Sequence, residues 1–288
     1  MRIVYYTSSI NVIGRFVIGL SIGNALVRKG IDCHFTIVHS SPAGHLAGEF
    51  DHVRVPLETE SELSKKNYHK SFLYKTLRGL KPDILLVNHQ WFAIHNFTDE
   101  FRCKKIYLSD QAYDRHFSIP LPEGDMVFDP ARYDRLIAIE PNRCAIPMET
   151  INPLVIRNRD EIYSRARALG LLDLDGNKKI ALYSLTSSRV EHDQLRDKYA
   201  YLQSDYEIVT ISPKKMIFPI VDYYNAFDLL VMGAGYNNVW SSIFFNKKAL
   251  FEPEKKKFSD ESLRVEFSRS FRFDVNGADQ LVDVIMNL

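Results

Sequence analysis

Cysteine, net charge and long apolar runs are all scarce in this chain, and each shortage removes a class of function. Only three cysteines, Cys33, Cys103 and Cys144, occur in 288 residues. They are scattered and odd in number, and no Cys-x-x-Cys pair is present. That argues against a disulfide framework or a zinc ribbon and fits a reducing compartment. The formal net charge is +1, so broad electrostatic attraction to nucleic acid is not expected. No apolar run approaches the roughly 20 residues that a membrane-spanning helix needs. Arg15 interrupts the apolar start and no small-residue cleavage site follows, so no signal peptide is expected and the chain reads as cytoplasmic. Two glycine signatures are missing as well. The first loop, Thr7-Ser-Ser-Ile-Asn-Val-Ile-Gly14, lacks Gly-x-Gly-x-x-Gly spacing, and Ile37-Val-His-Ser40 offers no acid for a ribose. No Gly-x-x-x-x-Gly-Lys-Ser/Thr loop occurs. Dinucleotide redox chemistry and P-loop hydrolysis are thereby disfavoured.

What the chain does have is a repeated alternation of strands and helices. Residues 1–6 read as a strand, followed by a polar loop at 7–11. A helix is expected at 14–29, with Phe16, Val17, Leu20, Leu26 and Val27 at helical spacing. Gly30 suits the position just past a helix end, and 33–38 is the next strand. Further strands are expected at 81–88, 105–109 and 135–139, the first a continuous apolar run of the kind covered on both faces. The Pro-, Asn- and Arg-rich segment 140–159 reads as a linker. A helix at 161–169, strands at 179–184 and 207–211 and a closing helix at 278–288 then repeat the plan. The expected fold is α/β: two Rossmann-like domains, 1–156 and 157–288, with parallel sheets facing across a cleft.

The stretch from Asp228 to Pro253 carries the strongest functional signal. It reads as a buried strand, the turn Gly233-Ala234-Gly235, a helix and a second buried strand. The first amide hydrogens of a helix point outward and favour an anion. Gly233 and Gly235 have no Cβ and let a ligand approach the backbone. The amides of Tyr236, Asn237 and Asn238 then become candidate donors to a phosphate group.

Four segments in order resemble the two-domain glycosyltransferases of the GT-B fold. The likeness is to the branch that includes the bacterial enzyme adding N-acetylglucosamine to the peptidoglycan lipid precursor. Gly14-Arg-Phe-Val-Ile-Gly-Leu-Ser-Ile-Gly-Asn-Ala-Leu-Val-Arg-Lys-Gly30 is similar to that family's glycine loop and first helix. Ile151-Asn-Pro-Leu-Val-Ile-Arg157 is similar to its hinge. Arg167-Ala-Leu-Gly-Leu-Leu-Asp-Leu-Asp-Gly176 and Ile180-Ala-Leu-Tyr-Ser-Leu-Thr-Ser-Ser188 resemble the opening of its donor domain. The block from Gly233 to Pro253 resembles the donor site.

The resemblance implies a nucleotide diphosphate sugar held by the C-terminal half without metal, and a glycan or lipid-linked acceptor on the N-terminal half. Gly14 belongs to the loop facing substrate, Thr186, Ser187 and Ser188 to the opposite donor loop. Asp260 and Glu261 take the place of a pair that contacts sugar hydroxyls. Three positions depart from the family pattern. Ser241 stands where a glutamate usually grips the ribose, Arg15 where a histidine usually follows the loop glycine, and Leu185-Thr186 where a glycine is usual. Two other functions share this fold: a nucleotide-sugar hydrolase of the pseudaminic acid pathway type, and a non-catalytic partner subunit.

The chemistry of the remaining candidates follows from position. Arg15, at a helix start, can stabilise a developing anionic charge. His89 and Asp110 each follow a strand on the side where open parallel sheets hold ligands, and either can act as general base. Asp173-Leu-Asp175 has the form of a metal-binding pair, but Gly176 and Asn177 follow at once, so a turn explains it better. Lys65, Lys66, Lys70, Lys75, Arg78 and Lys81 give the segment 65–81 a basic character suited to weak contact with an anionic membrane.

Overall fold

The computed structural model describes residues 1–8, 13–110, 113–122, 124–184, 196–211, 217–254 and 261–288. They form two compact units, Met1–Leu154 with Val275–Leu288, and Val155–Lys256 with Glu261–Asp274.

The first unit is built on a parallel sheet. Its strands are β1 (Arg2–Tyr6), β2 (His34–His39), β3 (Asp51–Arg54), β4 (Ile84–Asn88), β5 (Lys104–Ser109), β8 (Arg135–Ala138) and β9 (Glu149–Thr150), in the spatial order β3-β2-β1-β4-β5-β8-β9. A separate antiparallel pair, β6 (Ser118–Ile119) and β7 (Met126–Val127), lies in the loop after β5. All five residues of β4 are buried, as in a sheet covered on both faces. Helix α1 (Gly14–Arg28) buries a run from Phe16 to Gly23 together with Ala25 and Leu26. It stops where expected, and Gly30 follows with φ of 65°. Helix α2 (Phe72–Leu80) begins at Ser71, whose side chain accepts from the Tyr74 amide at 3.1 Å, and buries Leu73, Tyr74 and Leu77. Phe72, the first residue of the helix, is 66% exposed. A short helix, α3 (Trp91–Ile94), follows β4.

The second unit carries a four-stranded parallel sheet, β10 (Ile180–Ser184), β11 (Glu207–Ile211), β12 (Leu229–Gly233) and β13 (Ala249–Glu252), in the order β11-β10-β12-β13. Among the described residues it carries the helices α4 (Arg165–Leu172), α5 (Tyr236–Phe244) and α6 (Glu261–Ser268). Ala181, Tyr183, Leu229 and Val231 form a core on the sheet. The expected helix at 161–169 starts later, because Ser164 accepts from the Arg167 amide and caps α4. Asp175 accepts from the Asn177 amide at 3.0 Å, which makes 173–176 a turn held by its own carboxylate.

One expectation is refined and one corrected. The segment 140–159 contains the boundary between the two units, at Leu154–Val155; it is also folded, since it contains β9 and buries Ile151, Leu154, Val155 and Ile156. The closing helix α7 (Gly277–Met286) belongs to the first unit, so a second domain of 157–288 does not hold for residues 275–288. The cause is charge and shape complementarity with α1. Arg28 reaches Asp279 at 2.5 Å and Lys29 pairs with Asp283. Asn152 donates its backbone amide to Gln280 at 2.8 Å and its side chain to the Val275 carbonyl at 2.9 Å.

Gly277 is where this docking is tightest. A Cβ there would lie 1.7 Å from the Asn152 carbonyl oxygen, so α7 must move for any other residue to fit. Gly277→Ala is therefore expected to cost about 1–3 kcal/mol. Thermal unfolding checks this, with Gly79→Ala as control, because a Cβ at Gly79 meets nothing within 4 Å. Equal melting temperatures for both variants would show that α7 is not fixed in this way.

Candidate functional site

In the first unit the carboxyl ends of β1, β4 and β5 gather the polar residues. Asn88 closes β4 fully buried, and His89 follows at 1% exposure with φ of 65°. A non-glycine residue in the left-handed region is strained and marks a site held by its surroundings. The His89 amide donates to the Leu108 carbonyl at 3.0 Å, which ties the turn to β5. Asp110, directly after β5, is 6% exposed. Its carboxylate lies between two partners: Oδ1 is 2.6 Å from His89 Nδ1, and Oδ2 is 3.5 Å from Arg15 Nη2. The histidine contact is short but off the hydrogen-bond direction, so it is a close charge-facing approach. Arg15 sits in the first turn of α1 with its side chain 20% exposed, and its carbonyl accepts from the Tyr5 hydroxyl at 2.7 Å.

The three catalytic candidates, Arg15, His89 and Asp110, are therefore brought together, and Arg15 is the most exposed of them. Burial, reinforced by the Arg15 guanidinium, lowers the His89 imidazole from the ordinary histidine range, with Asp110 opposing. A neutral ring with Nδ1–H toward Asp110 leaves Nε2 as a lone-pair acceptor. Among the described residues Nε2 has no hydrogen-bond partner, and the same is true of Asn88 Oδ1 and Thr7 Oγ1 at this sheet edge. Gly14, next to Arg15, opens α1.

Sequence reasoning missed His116 and Glu140. His116 lies in a short 3-10 turn, Asp114–Phe117, and is 1% exposed. Its ring stacks on His89 with centroids 3.7 Å apart and planes at 18°. Burial, then the neighbouring His89, push its pKa down to about 3. Glu140 is fully buried two residues after β8. Irregular loops carry no periodicity, so neither residue had a signal to betray its burial.

In the second unit, β12 ends at Gly233 and α5 begins at Tyr236. The Ala234 amide donates to the Glu252 carbonyl at 2.9 Å, fixing the turn against β13. Gly235 is the helix N-cap in an extended conformation and offers no side-chain cap. Among the described residues nothing lies within 4 Å of the positions where Gly233 and Gly235 would carry a Cβ. This is the geometry a helix N-terminus needs to meet an anion. Asn238 turns its side chain back to donate to the Gly233 carbonyl at 3.0 Å, bracing the turn.

Ser241 is 6% exposed on the buried side of α5. Glu261, at the start of α6, is 2% exposed and accepts from the Glu254 amide at 2.8 Å, so its carboxylate organises backbone. Thr186, Ser187, Ser188 and Asp260 lie outside the described residues. Arg264, missed in the sequence because it stood among alternating charges, is 3% exposed and donates to the Ala234 carbonyl at 3.1 Å. Its guanidinium lies 5.9 Å from the Tyr236 ring centroid.

No family model and no curated protein matches the chain in sequence. Solved structures do match in shape. The glycosyltransferase SsfS6 of Streptomyces sp. SF2575, complexed with thymidine diphosphate, is similar with a TM-score of 0.59 at 14% identity, covering 100% of both chains. The glycosyltransferase VinC in complex with DTDP gives 0.60 at 12%, over 99% of this chain and 90% of that one. MurG of Acinetobacter baumannii gives 0.51 at 11%, over 100% and 91%. At such identities the likeness is one of fold: the chain has the two-unit α/β architecture of GT-B glycosyltransferases.

Proposed function

We propose that this chain is a glycosyltransferase that moves a sugar from a nucleoside diphosphate donor to a hydroxyl acceptor without a metal ion. The observation that carries the reading is the start of α5, where the N-cap Gly235 brings no capping side chain and, among the described residues, nothing lies within 4 Å of where Gly233 or Gly235 would carry a Cβ. A helix N-terminus favours a nearby anion by about 0.3–1 kcal/mol, and by up to about 2 kcal/mol when partly buried. The Arg264 guanidinium adds positive charge behind the same turn. Two structures of similar shape were solved with thymidine diphosphate or DTDP, which supports a diphosphate ligand for this architecture.

In the transfer, the acceptor oxygen forms a bond to the anomeric carbon as the bond from that carbon to the diphosphate oxygen breaks. The leaving electron pair stays on the diphosphate, where the amides at the start of α5 stabilise it. The hydroxyl proton passes to His89 Nε2, and Asp110 balances the imidazolium that forms. The acceptor must displace covering groups to reach His89, which is buried. That burial keeps the ring neutral and ready to accept. Arg15, the most exposed member of the cluster, is the side chain that would meet the acceptor.

Isothermal titration with uridine, guanosine and thymidine diphosphates, each with chelator present, tests the donor half of this reading. Saturable binding of at least one is expected. Silence from all three rejects the function, and binding that requires a divalent ion rejects its metal independence.

A further inference from the structure

We propose that His116 is a positioning residue: it sets the plane of the His89 ring by stacking and holds the His89 backbone by a hydrogen bond. His116 Nε2 is 2.9 Å from the His89 carbonyl oxygen. A carbonyl only accepts, so Nε2 carries the proton, and the tautomer of His116 is fixed. The Tyr107 hydroxyl, 3.3 Å from the same nitrogen, lies on the accepting side of a shared contact. His116 is itself anchored, because the Trp91 indole donates to its carbonyl at 3.0 Å. The edges of Trp91 and Phe117 close around the ring, with centroids 6.5 and 5.2 Å away.

These contacts answer a specific difficulty at His89. Its left-handed backbone is unfavourable for a residue with a Cβ. The bond from His116 stabilises the carbonyl orientation that this conformation produces. The stacked ring, 3.7 Å away at 18°, keeps the His89 imidazole from turning away from Asp110. His116 stays neutral throughout the physiological range. It therefore presents a π face, not a competing charge, to the imidazolium that forms on His89.

The catalytic part of this inference rests on His89 being the proton acceptor, whereas the positioning part does not. Both are tested on the full chain with ¹⁵N-labelled histidine. The His89 resonances are those that vanish from His89→Gln, one of nine histidines. In the unmodified chain they should report a neutral Nδ1–H tautomer. His116→Leu removes both the stacked ring and the hydrogen bond, and His89 should then shift toward a mixture of tautomers. His116→Phe, which restores a stacked ring, and His116→Gln, which restores a donor, should each recover part of the original signal. Turnover should fall roughly 10–100-fold in His116→Leu, as for other outer partners of a functional imidazole, with KM changed by less than about twofold. Unchanged His89 resonances in His116→Leu overturn the proposal. Shifted resonances with full turnover leave His116 as the positioning residue and instead overturn His89 as the base.

Discussion

Replacing His89 with alanine is expected to lower turnover by roughly 100- to 10,000-fold, the usual contribution of a positioned general base. KM for the donor should hardly move, because His89 lies in the first unit's sheet edge and the diphosphate is assigned to the turn before α5. Asp110→Asn should lower turnover less, since the base remains and only its charge partner is lost. The pH profile separates the two roles. A base works in its neutral form, which dominates above its pKa. Burial and Arg15 lower that pKa, so the acid limb of turnover should lie below the unperturbed value of about 6.5. Asp110 raises the His89 pKa, so Asp110→Asn should move the acid limb to still lower pH. A His89→Ala protein that kept more than about half of its turnover would remove His89 from the chemistry.

Why His89 was visible in the sequence, and His116 was not, has a physical cause. Ile84 to Asn88 is an uninterrupted apolar run ending in a polar residue, so a strand end and the side holding ligands could both be inferred. The same logic found Asp110 after β5 and the glycine turn after β12. His116 reaches His89 through a loop, where no period relates sequence to space. Arg264 has a related history. On α6 it looks like a solvated charge, and its burial depends on the position of a turn thirty residues earlier in the chain. The closing helix shows a third way of losing information. Its own apolar pattern predicted a helix correctly, but its partner α1 lies at the other end of the chain. Local pattern specifies an element far better than it specifies what that element packs against. In the Lys65 to Lys81 segment the basic residues dominate the sequence, yet Leu73 and Leu77 are buried while Phe72 faces outward.

Gly235→Trp is expected to abolish donor binding, with affinity for the nucleoside diphosphate reduced more than about 100-fold, or roughly 2.7 kcal/mol. The backbone itself tolerates a side chain here. Gly235 has φ of −62° and ψ of 154°, which any residue adopts, and a Cβ there meets nothing within 4 Å. The added Cβ therefore forces no shift of the chain, and the indole beyond it would extend over the helix start. That separates loss of the anion site from loss of the fold. Gly235→Ala should bind more weakly than the parent but measurably, because a methyl group fills only part of the same space. Thermal unfolding of both variants should stay close to the parent, in contrast to Gly277→Ala, whose Cβ meets backbone at 1.7 Å. Titration calorimetry with thymidine diphosphate gives the affinities. If the tryptophan variant bound the diphosphate as tightly as the parent, the anion would have to sit somewhere other than the start of α5. The role assigned to the turn, and to Arg264 behind it, would then be lost together.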